Sequence, residues 1–480
     1  MTVSMSDQLV GLIGAAQMLP AESLAAYAVD GLTPEAVARP EDRDVVSRVM
    51  EWASRTGTSV APWGGGTQQC LGNIPTRLDL VLDLSRCGRV LDFQPEDLTV
   101  TVEAGIALEA LQERLSQGGK HLSVEAPRPA KATIGGILAA GTTGPQRFAY
   151  GTPRDWLIGV GMVGAGGDET KAGGRVVKNV TGYDLNKLYT GSLGTLGVIV
   201  EATFKLSPAP LFKTALIASY RPGGTSGNGS AGTTPAVSAA QSLAPQSYSP
   251  QGLLVLNSLA AERLAHPRIK ELLYGPDTGQ ELVVAFFEGR DEALVQSRSA
   301  GGANLLGAQG AASSGGVAEV VHLNPEDSAS LLIEVTNIGW ESEEPPYLAL
   351  RLNVPPSTVA DMVRAASQTL TIGPAPAIVA DPGFGTVNLR WYGDTAQDQT
   401  SIPAALGEPA MMEIIGNVRD LAHRAGGTAV VEWCPLTVKR RIDVWDGAAH
   451  GDREIAIMRR IKEKFDPAWT INPGRFLGGI

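Results

Sequence analysis

The run from Gly174 to Pro208, GRVVKNVTGYDLNKLYTGSLGTLGVIVEATFKLSP, restricts this chain more than any other stretch. A short amphipathic segment (Tyr183, Leu185, Leu188) leads into Gly191-Ser192-Leu193-Gly194-Thr195-Leu196-Gly197, and a β-branched strand, Val198 to Phe204, follows. Small residues at a helix-to-strand junction let backbone approach something bulky and flat. A Gly-rich loop carrying a structural bend satisfies the same residues, so the junction alone does not decide between the two.

At 480 residues the chain exceeds the size at which one hydrophobic core keeps growing, and two domains are expected. Glycine supplies 57 of them, well above the usual ~7%. The net charge of −11 argues against a nucleic-acid partner, which needs a basic footprint. No apolar run approaches the ~20 residues of a membrane span, and the N-terminus lacks a basic stretch followed by an apolar core. The chain is therefore expected in the cytoplasm, at a membrane only through a partner. Cys70, Cys87 and Cys434 are too few and scattered for a disulfide framework or a zinc or iron–sulfur site, and the five histidines show no paired spacing. No metal site is expected, and any electron-transfer cluster must lie in another protein.

Residues 37–209 read as one α+β unit, preceded by an N-terminal helical segment over 1–36. Apolar residues at 45, 46, 49, 50 and 53 mark a helix before a short strand, Ser59 to Trp63. Alternating β-branched residues mark strands at Leu78 to Leu84 and Thr99 to Ala104. Leu108, Leu111 and Leu115 have helical spacing, stopped by Gly118-Gly119. Residues 210–440 form a second α+β unit with strands at Leu253 to Leu256, Leu282 to Phe287, Tyr347 to Val354 and Ala429 to Trp433, and helices at Val359 to Leu370 and Met411 to His423. Two tracts of small and polar residues, near 221–252 and 299–316, read as disordered surface insertions. Residues 441–480 carry a last helix (Ile455, Met458, Ile461, Phe465) and end in INPGR.

Two further segments carry chemistry. Pro62-Trp63-Gly64-Gly65-Gly66-Thr67-Gln68 follows a strand, and consecutive glycines there can turn backbone N–H groups inward as an anion-binding nest. A pyrophosphate suits it; a plain turn accounts for it equally. Thr133 to Gly144, TIGGILAAGTTG, combines a helix start with small residues, which adds N–H donors and a favourable dipole for phosphate. Close helix-to-strand packing is the alternative. Gly159-Val160-Gly161-Met162-Val163-Gly164 fits GxGxxG, but the residues that follow have no apolar stripe and read as a hairpin, so a Rossmann fingerprint is rejected.

PWGGGTQ, TIGGILAAGTTG with YGTPRD, GYDLNKLYTGSLGTLGVI and INPGR, in that order, resemble the FAD-binding domain of the vanillyl-alcohol-oxidase, or p-cresol-methylhydroxylase-type (PCMH-type), flavoproteins. The resemblance spans about 40–208 and the last 30 residues. It implies an α+β fold in which two subdomains sandwich an extended FAD, with residues 210–440 as an α+β cap. The pyrophosphate loop then falls on Gly64, Gly65, Gly66, Thr67 and Gln68. The second cofactor segment falls on Thr133, Ile134, Gly135, Gly136, Gly141 and Gly144. Backbone contacts fall on Gly197, Val198 and Ile199, and Asn472 lies in the segment that returns toward the flavin. Members that tether FAD use a histidine in the pyrophosphate loop; Gln68 and Gln69 stand in that region, so a dissociable FAD is expected, with a cap histidine as the other route to a tether.

Within the family, GYDLNKL…GSLGTLG and FDPAWTINPGRFLGG resemble the glycolate oxidase and D-lactate dehydrogenase branch. Its hydroxy-acid-oxidising members carry cap motifs close to HxGDGNxH and GEHGVG. The corresponding stretches here are Pro382 to Arg390, PGFGTVNLR, and Val431 to Leu436, VEWCPL, and the histidines are missing from both. This departure, with PWGGGTQQCLGN and VEWCPLTVKRRIDVW, resembles the FAD-binding subunits of bacterial glycolate oxidase complexes, which accompany a catalytic flavin subunit and an iron–sulfur subunit. The expectation is an FAD-binding subunit that supports electron transfer from a small 2-hydroxy acid. A self-sufficient FAD-dependent 2-hydroxy-acid dehydrogenase and a non-redox scaffold are the alternatives. No catalytic residue is assigned. Arg351 and Arg390 are candidates for gripping a carboxylate bidentately, or are simply solvated or salt-bridged.

Overall fold

Asp42 and Gly57 bracket the helix Arg43–Thr56. The Asp42 carboxylate accepts from the Val45 N–H at 2.9 Å, and Gly57 ends the helix in the left-handed region at φ 70°. The apolar stripe expected from its spacing, Val45, Val46, Val49, Met50 and Ala53, is buried. This computed structural model describes residues 4–175, 184–221, 234–274, 281–312, 317–341, 343–368, 373–393 and 407–480. It divides into two units, one formed by Met1–Thr143, Thr152–Pro208 and Lys439–Ile480, the other by Gly144–Gly151 and Ala209–Val438.

The first unit holds two main sheets. Ala36–Ala38, Leu80–Asp83 and Val60–Trp63 form a parallel sheet in that spatial order. An antiparallel sheet runs Val90–Gln94, Thr99–Glu103, Val198–Lys205, Leu157–Val163, Glu169–Gly173. Val198 and Val200 lie in one core with Val46, Met50 and Leu82, whereas Ile199 and Ala202 lie in the other with Ile137, Leu138 and Leu111. A register shift against Leu157–Val163 leaves Val200 as the extra residue of a β-bulge, so the strand exchanges faces along its length and feeds both cores. The Met5–Ile13 helix belongs to this unit too, with Leu9 and Ile13 in the Val46 core. Gly159 to Val163 lies in a strand paired antiparallel with Glu169–Gly173, so the GxGxxG match starts no helix. Gly182 and Tyr183 of the opening motif lie outside the described residues.

The second unit is built on an eight-stranded antiparallel sheet. Its order is Val317–Leu323, Phe212–Tyr220, Glu281–Gly289, Gly252–Asn257, Ala377–Asp381, Thr386–Trp391, Leu348–Asn353, Thr428–Trp433. Phe212–Tyr220 carries no polar alternation because both of its faces are covered: Ala215 and Ile217 join Leu331 and Val335, while Leu216 approaches Gly302.

The expectation of disordered insertions is corrected where they are described. Pro235–Leu243 is a helix that buries Ala236, Val237, Ala239, Ala240 and Leu243. The tract from 299 continues the helix Glu292–Ala312, with Ser299 and Leu306 buried. Alanine is the best helix former, and here small residues serve close packing. A Cβ at Gly302 would meet Phe287 at 3.0 Å, and one at Gly301 would meet Tyr248 at 3.1 Å. Residues 222–233 and 313–316 of those tracts lie outside the described residues.

Glu281 opens a strand of this sheet, and its Oε2 is sealed from solvent without a hydrogen-bond partner among the described residues. Burial lifts its carboxyl to about 7, with the Ala236 backbone opposing the shift. The folded chain then holds this proton at pH values where the unfolded chain has lost it. Its contribution is complete below the unfolded value of 4.5 and is lost as the pH rises through about 7. Glu281→Gln is expected to stabilise the protein at pH 8 by roughly 1–3 kcal/mol and to change little at pH 4.5. Calorimetric unfolding across that range checks it, and an unaltered pH slope in the variant contradicts it.

Candidate functional site

The four motifs named in the sequence converge in the first unit on one open groove. Its walls come from Pro62 to Gln69, from the Ile134–Ala140 helix and its cap Thr133, from the Leu193 to Ile199 turn, and from Asn472 with Arg475. Of the expected contact residues, Gly64, Gly65, Gly66, Thr67, Gln68, Thr133, Gly135, Gly136, Gly197, Ile199 and Asn472 line the groove. Ile134 and Val198 do not; both point into the cores. Gly141 ends the helix at φ 66°, a Cβ there meeting Gly191 at 3.3 Å, and Gly144 belongs to the second unit.

The glycines divide into two kinds. A Cβ at Gly64 would lie 2.0 Å from the Thr133 hydroxyl, one at Gly65 1.7 Å from the Lys131 carbonyl, and one at Gly135 2.9 Å from Ala104. These positions are demanded by the chain packing on itself. At Gly136 the only near atom is Thr133 Oγ1 at 3.2 Å, and the residue is exposed on the groove wall. Its missing side chain leaves space for a guest.

The hydrogen-bond donors are also distributed differently from the expectation. Ile134 N–H donates to the Ile106 carbonyl at 2.9 Å, Gly135 N–H to Ala104 at 2.7 Å, and Gly136 N–H to Thr133 Oγ1 at 3.4 Å. The first turn of the helix has therefore spent its donors internally, and what it offers an anion is its dipole. By contrast, no hydrogen bond among the described residues engages the backbone N–H groups of Gly65, Gly66 or Thr67. That loop, and not the helix, keeps N–H donors open to a guest.

Strained backbone surrounds the groove. Leu193, Asn472 and Arg128 all hold positive φ, at 51°, 45° and 52°, a conformation worth of order 1–3 kcal/mol for such residues. Leu193 is fixed from both sides: its N–H donates to the Ala139 carbonyl at 2.8 Å and its carbonyl accepts from Asn472 Nδ2 at 2.8 Å. Arg128 reaches the Thr67 carbonyl. Arg475, fully buried, donates to the Gln69 and Leu71 carbonyls and braces the loop from behind. Burial lowers the pKa of both guanidinium groups. Sequence reasoning missed both arginines. Arg475 was within reach, because it closes the same INPGR motif as Asn472; Arg128 has no local signal.

A buried ion pair ties these walls together. Lys462 and Asp466, each fully buried, meet at 2.6 Å. The ammonium spends its other two protons on the carbonyls of Thr195 (2.7 Å), in the glycine turn, and Ile471 (2.8 Å), in the INPGR return. Asp466 in turn accepts from the N–H groups of Thr470 and Ile471.

A pyrophosphate-bearing cofactor fits this groove. Among the described residues no aspartate or glutamate lines it, Arg475 is its one cationic residue, and donors from Gly65 to Thr67 face no internal acceptor. Among the described residues no histidine, cysteine or tyrosine lines it either. The expected substrate-gripping arginines lie in the second unit, where both are ion-paired: Arg351 Nε donates to Glu432 Oε1 at 2.8 Å, and Arg390 Nη2 lies 3.6 Å from Glu432 Oε2. Among the described residues no cluster of His, Cys, Asp and Glu could hold a metal, and no helix is long and apolar enough to cross a membrane.

Gly136→Asp is expected to expel the cofactor while the fold persists, since the new carboxylate enters the groove and not the core. FAD affinity should fall at least roughly tenfold, about 1.4 kcal/mol, with unfolding little changed; undiminished FAD retention after gel filtration contradicts it. Lys462→Met strands the Asp466 carboxylate and should cost about 3–5 kcal/mol. FAD should also bind more weakly, as both tethered walls loosen; denaturant unfolding and FAD fluorescence titration read the two effects.

Comparison with known proteins agrees with this geometry. The profile of the FAD binding domain matches residues 34–173, and that of the FAD linked oxidases, C-terminal domain, matches residues 236–476. Glycolate oxidase subunit GlcD of Bacillus subtilis (strain 168) is 36% identical over 187 residues, 39% of this chain and 40% of that protein. Glycolate oxidase subunit GlcE of Escherichia coli (strain K12) is 38% identical over 127 residues, 26% of this chain and 36% of that protein. Matches to such relatives thus span about two fifths of their length. A mitochondrial D-lactate dehydrogenase [cytochrome] of Kluyveromyces lactis is 26% identical over 461 residues, 92% of this chain and 73% of that protein. In fold, substrate-bound p-cresol methylhydroxylase superposes with a TM-score of 0.70 at 15% identity, covering 98% of this chain and 95% of that one. The chain belongs to the FAD-linked oxidases, the oxidoreductase flavoproteins of the vanillyl-alcohol-oxidase and p-cresol-methylhydroxylase type.

Proposed function

We propose that this chain is an FAD-carrying subunit of a 2-hydroxy-acid oxidoreductase complex, with glycolate as the leading substrate, and that it passes electrons toward an iron–sulfur partner without turning substrate over alone. One contrast carries the reading. The first unit keeps a groove suited to a pyrophosphate, whereas the second offers no imidazole at the stretches that correspond to the catalytic cap motifs. Pro382 to Arg390 forms the hairpin between Ala377–Asp381 and Thr386–Trp391. Its acid, Asp381, is committed to Arg147 at 3.1 Å and to the Phe384 N–H at 2.9 Å. The histidines of that unit lie elsewhere, His266 beside Asp327, His322 on the edge strand Val317–Leu323, and His423 in the Glu408–Arg424 helix.

FAD, when bound, supplies the two-electron acceptor. The chain's own residues do the holding. Backbone N–H groups of Gly65 to Thr67 receive the pyrophosphate, Gly136 leaves room beside it, and Leu193 with Asn472 fixes the opposite wall. A groove without histidine, cysteine or tyrosine among its described residues supports non-covalent binding. Similarity to two proteins named as glycolate oxidase subunits supports both the substrate class and assembly with a catalytic flavin subunit. The extended match to a D-lactate dehydrogenase favours a second reading, a self-sufficient dehydrogenase that uses another base.

The purified chain, reconstituted with FAD, should keep its oxidised flavin spectrum under anaerobic glycolate or D-lactate. It should co-purify from its own cell with a second flavin subunit bearing the missing histidines and with a Cys-rich iron–sulfur protein. Bleaching of the flavin in the isolated chain would decide for the self-sufficient dehydrogenase.

A further inference from the structure

Arg351, Asn388, Arg390 and Glu432 lie on one face of the eight-stranded sheet. Arg351 stands opposite Asn388, and Arg390 opposite Ala349. On the other side of Leu348–Asn353, Leu350 pairs with Val431 but Ala349 pairs with Trp433, so Glu432 is the extra residue of a β-bulge. A bulge re-aims a side chain, and this one delivers the Glu432 carboxylate to Arg351 at 2.8 Å and Arg390 at 3.6 Å. Ala349 and Ala377, the cross-strand neighbours of Arg390, are small enough to leave its guanidinium room. Gly339 closes the site from above: at φ 83° it lies so near that a Cβ would meet Arg390 Nε at 1.6 Å. Arg390 is consequently buried, its Nε without a hydrogen-bond partner, whereas Arg351 stays about one-third exposed.

We propose that this is a carboxylate site filled from within: Glu432 occupies, as part of the chain, the seat that a small free monocarboxylate would otherwise take between Arg351 and Arg390. The inference rests on the reading of this chain as a subunit that does not turn over a hydroxy acid alone. A bulged glutamate holds the site shut at an effective concentration no diffusing acid reaches. Removing the side chain takes away the carboxylate that the two guanidinium groups share and opens a space shaped for another.

Glu432→Ala in the full FAD-loaded chain tests this, with sodium acetate as the probe and sodium chloride as the ionic control. The variant should melt lower than the parent and regain about 2–4 °C in acetate beyond chloride. The parent and Glu432→Gln, whose amide still fills the seat, should respond alike to both salts. Glu432→Ser, a less drastic truncation, carries the same comparison if the alanine variant does not fold. No acetate-specific rise in either truncated variant, or an equal rise in the parent or in Glu432→Gln, overturns the proposal. These outcomes are independent of flavin bleaching by glycolate in the parent, which would instead overturn the underlying functional reading.

Discussion

The groove stands on one buried ammonium. Lys462 has three protons and three acceptors, one in its own helix cap, one in the glycine turn and one in the C-terminal return. Taking a charge out of water is costly, and burial lowers the pKa of this amine against the pull of Asp466. The arrangement is tolerable because no donor is left over and because Asp466 is itself saturated by Thr470 and Ile471. A hydrophobic substitute could fill the volume. It could not specify which carbonyls meet, and here two of the three belong to segments more than 250 residues apart in the chain.

That cross-tie explains where backbone strain is found. Leu193 and Asn472 hold left-handed conformations that cost free energy, and each fixes the other through the 2.8 Å bond from Asn472 Nδ2. Lys462 anchors the neighbours of both, Thr195 and Ile471. Strain at one wall is therefore sustained by hydrogen bonds made at the base of the other. The same segments return through Val60, whose N–H donates to Thr470 and whose carbonyl accepts from Asn472. The strand that ends in the glycine loop is thus part of the same frame.

The architecture was legible wherever local chemistry and tertiary contact agree. The helix at 43–56, the strand after Gly197 and the hairpin that disqualifies GxGxxG follow from periodicity and caps that the fold respects. Motif order placed eleven of the fifteen expected contact residues on one groove. What failed depended on partners far away in sequence. That the helix after Thr133 has no N–H to spare cannot be read locally, because the acceptors are carbonyls of Ala104 and Ile106. Gly64 and Gly65 are glycines because Lys131 and Thr133 press against them, a demand that looks in sequence identical to a ligand's. The alanine-rich tract after residue 234 read as part of a disordered surface insertion, yet its small side chains are what two closely packed helices require.

The two units treat negative charge in opposite ways, and this follows from what each must stabilise. In the first, a groove lined by backbone donors carries no acid among its described residues, so an incoming pyrophosphate would meet dipoles and no like charge from them. In the second, two arginines on adjacent strands of one sheet face demand a counter-charge, since an uncompensated buried guanidinium costs several kcal/mol. A site that gave up its ligand but kept its arginines would carry that penalty permanently. Glu432 removes it, at the price of a bulge that regular pairing would forbid. Retaining the arginines and supplying the carboxylate from within preserves the sheet while withdrawing the site from any acid in solution.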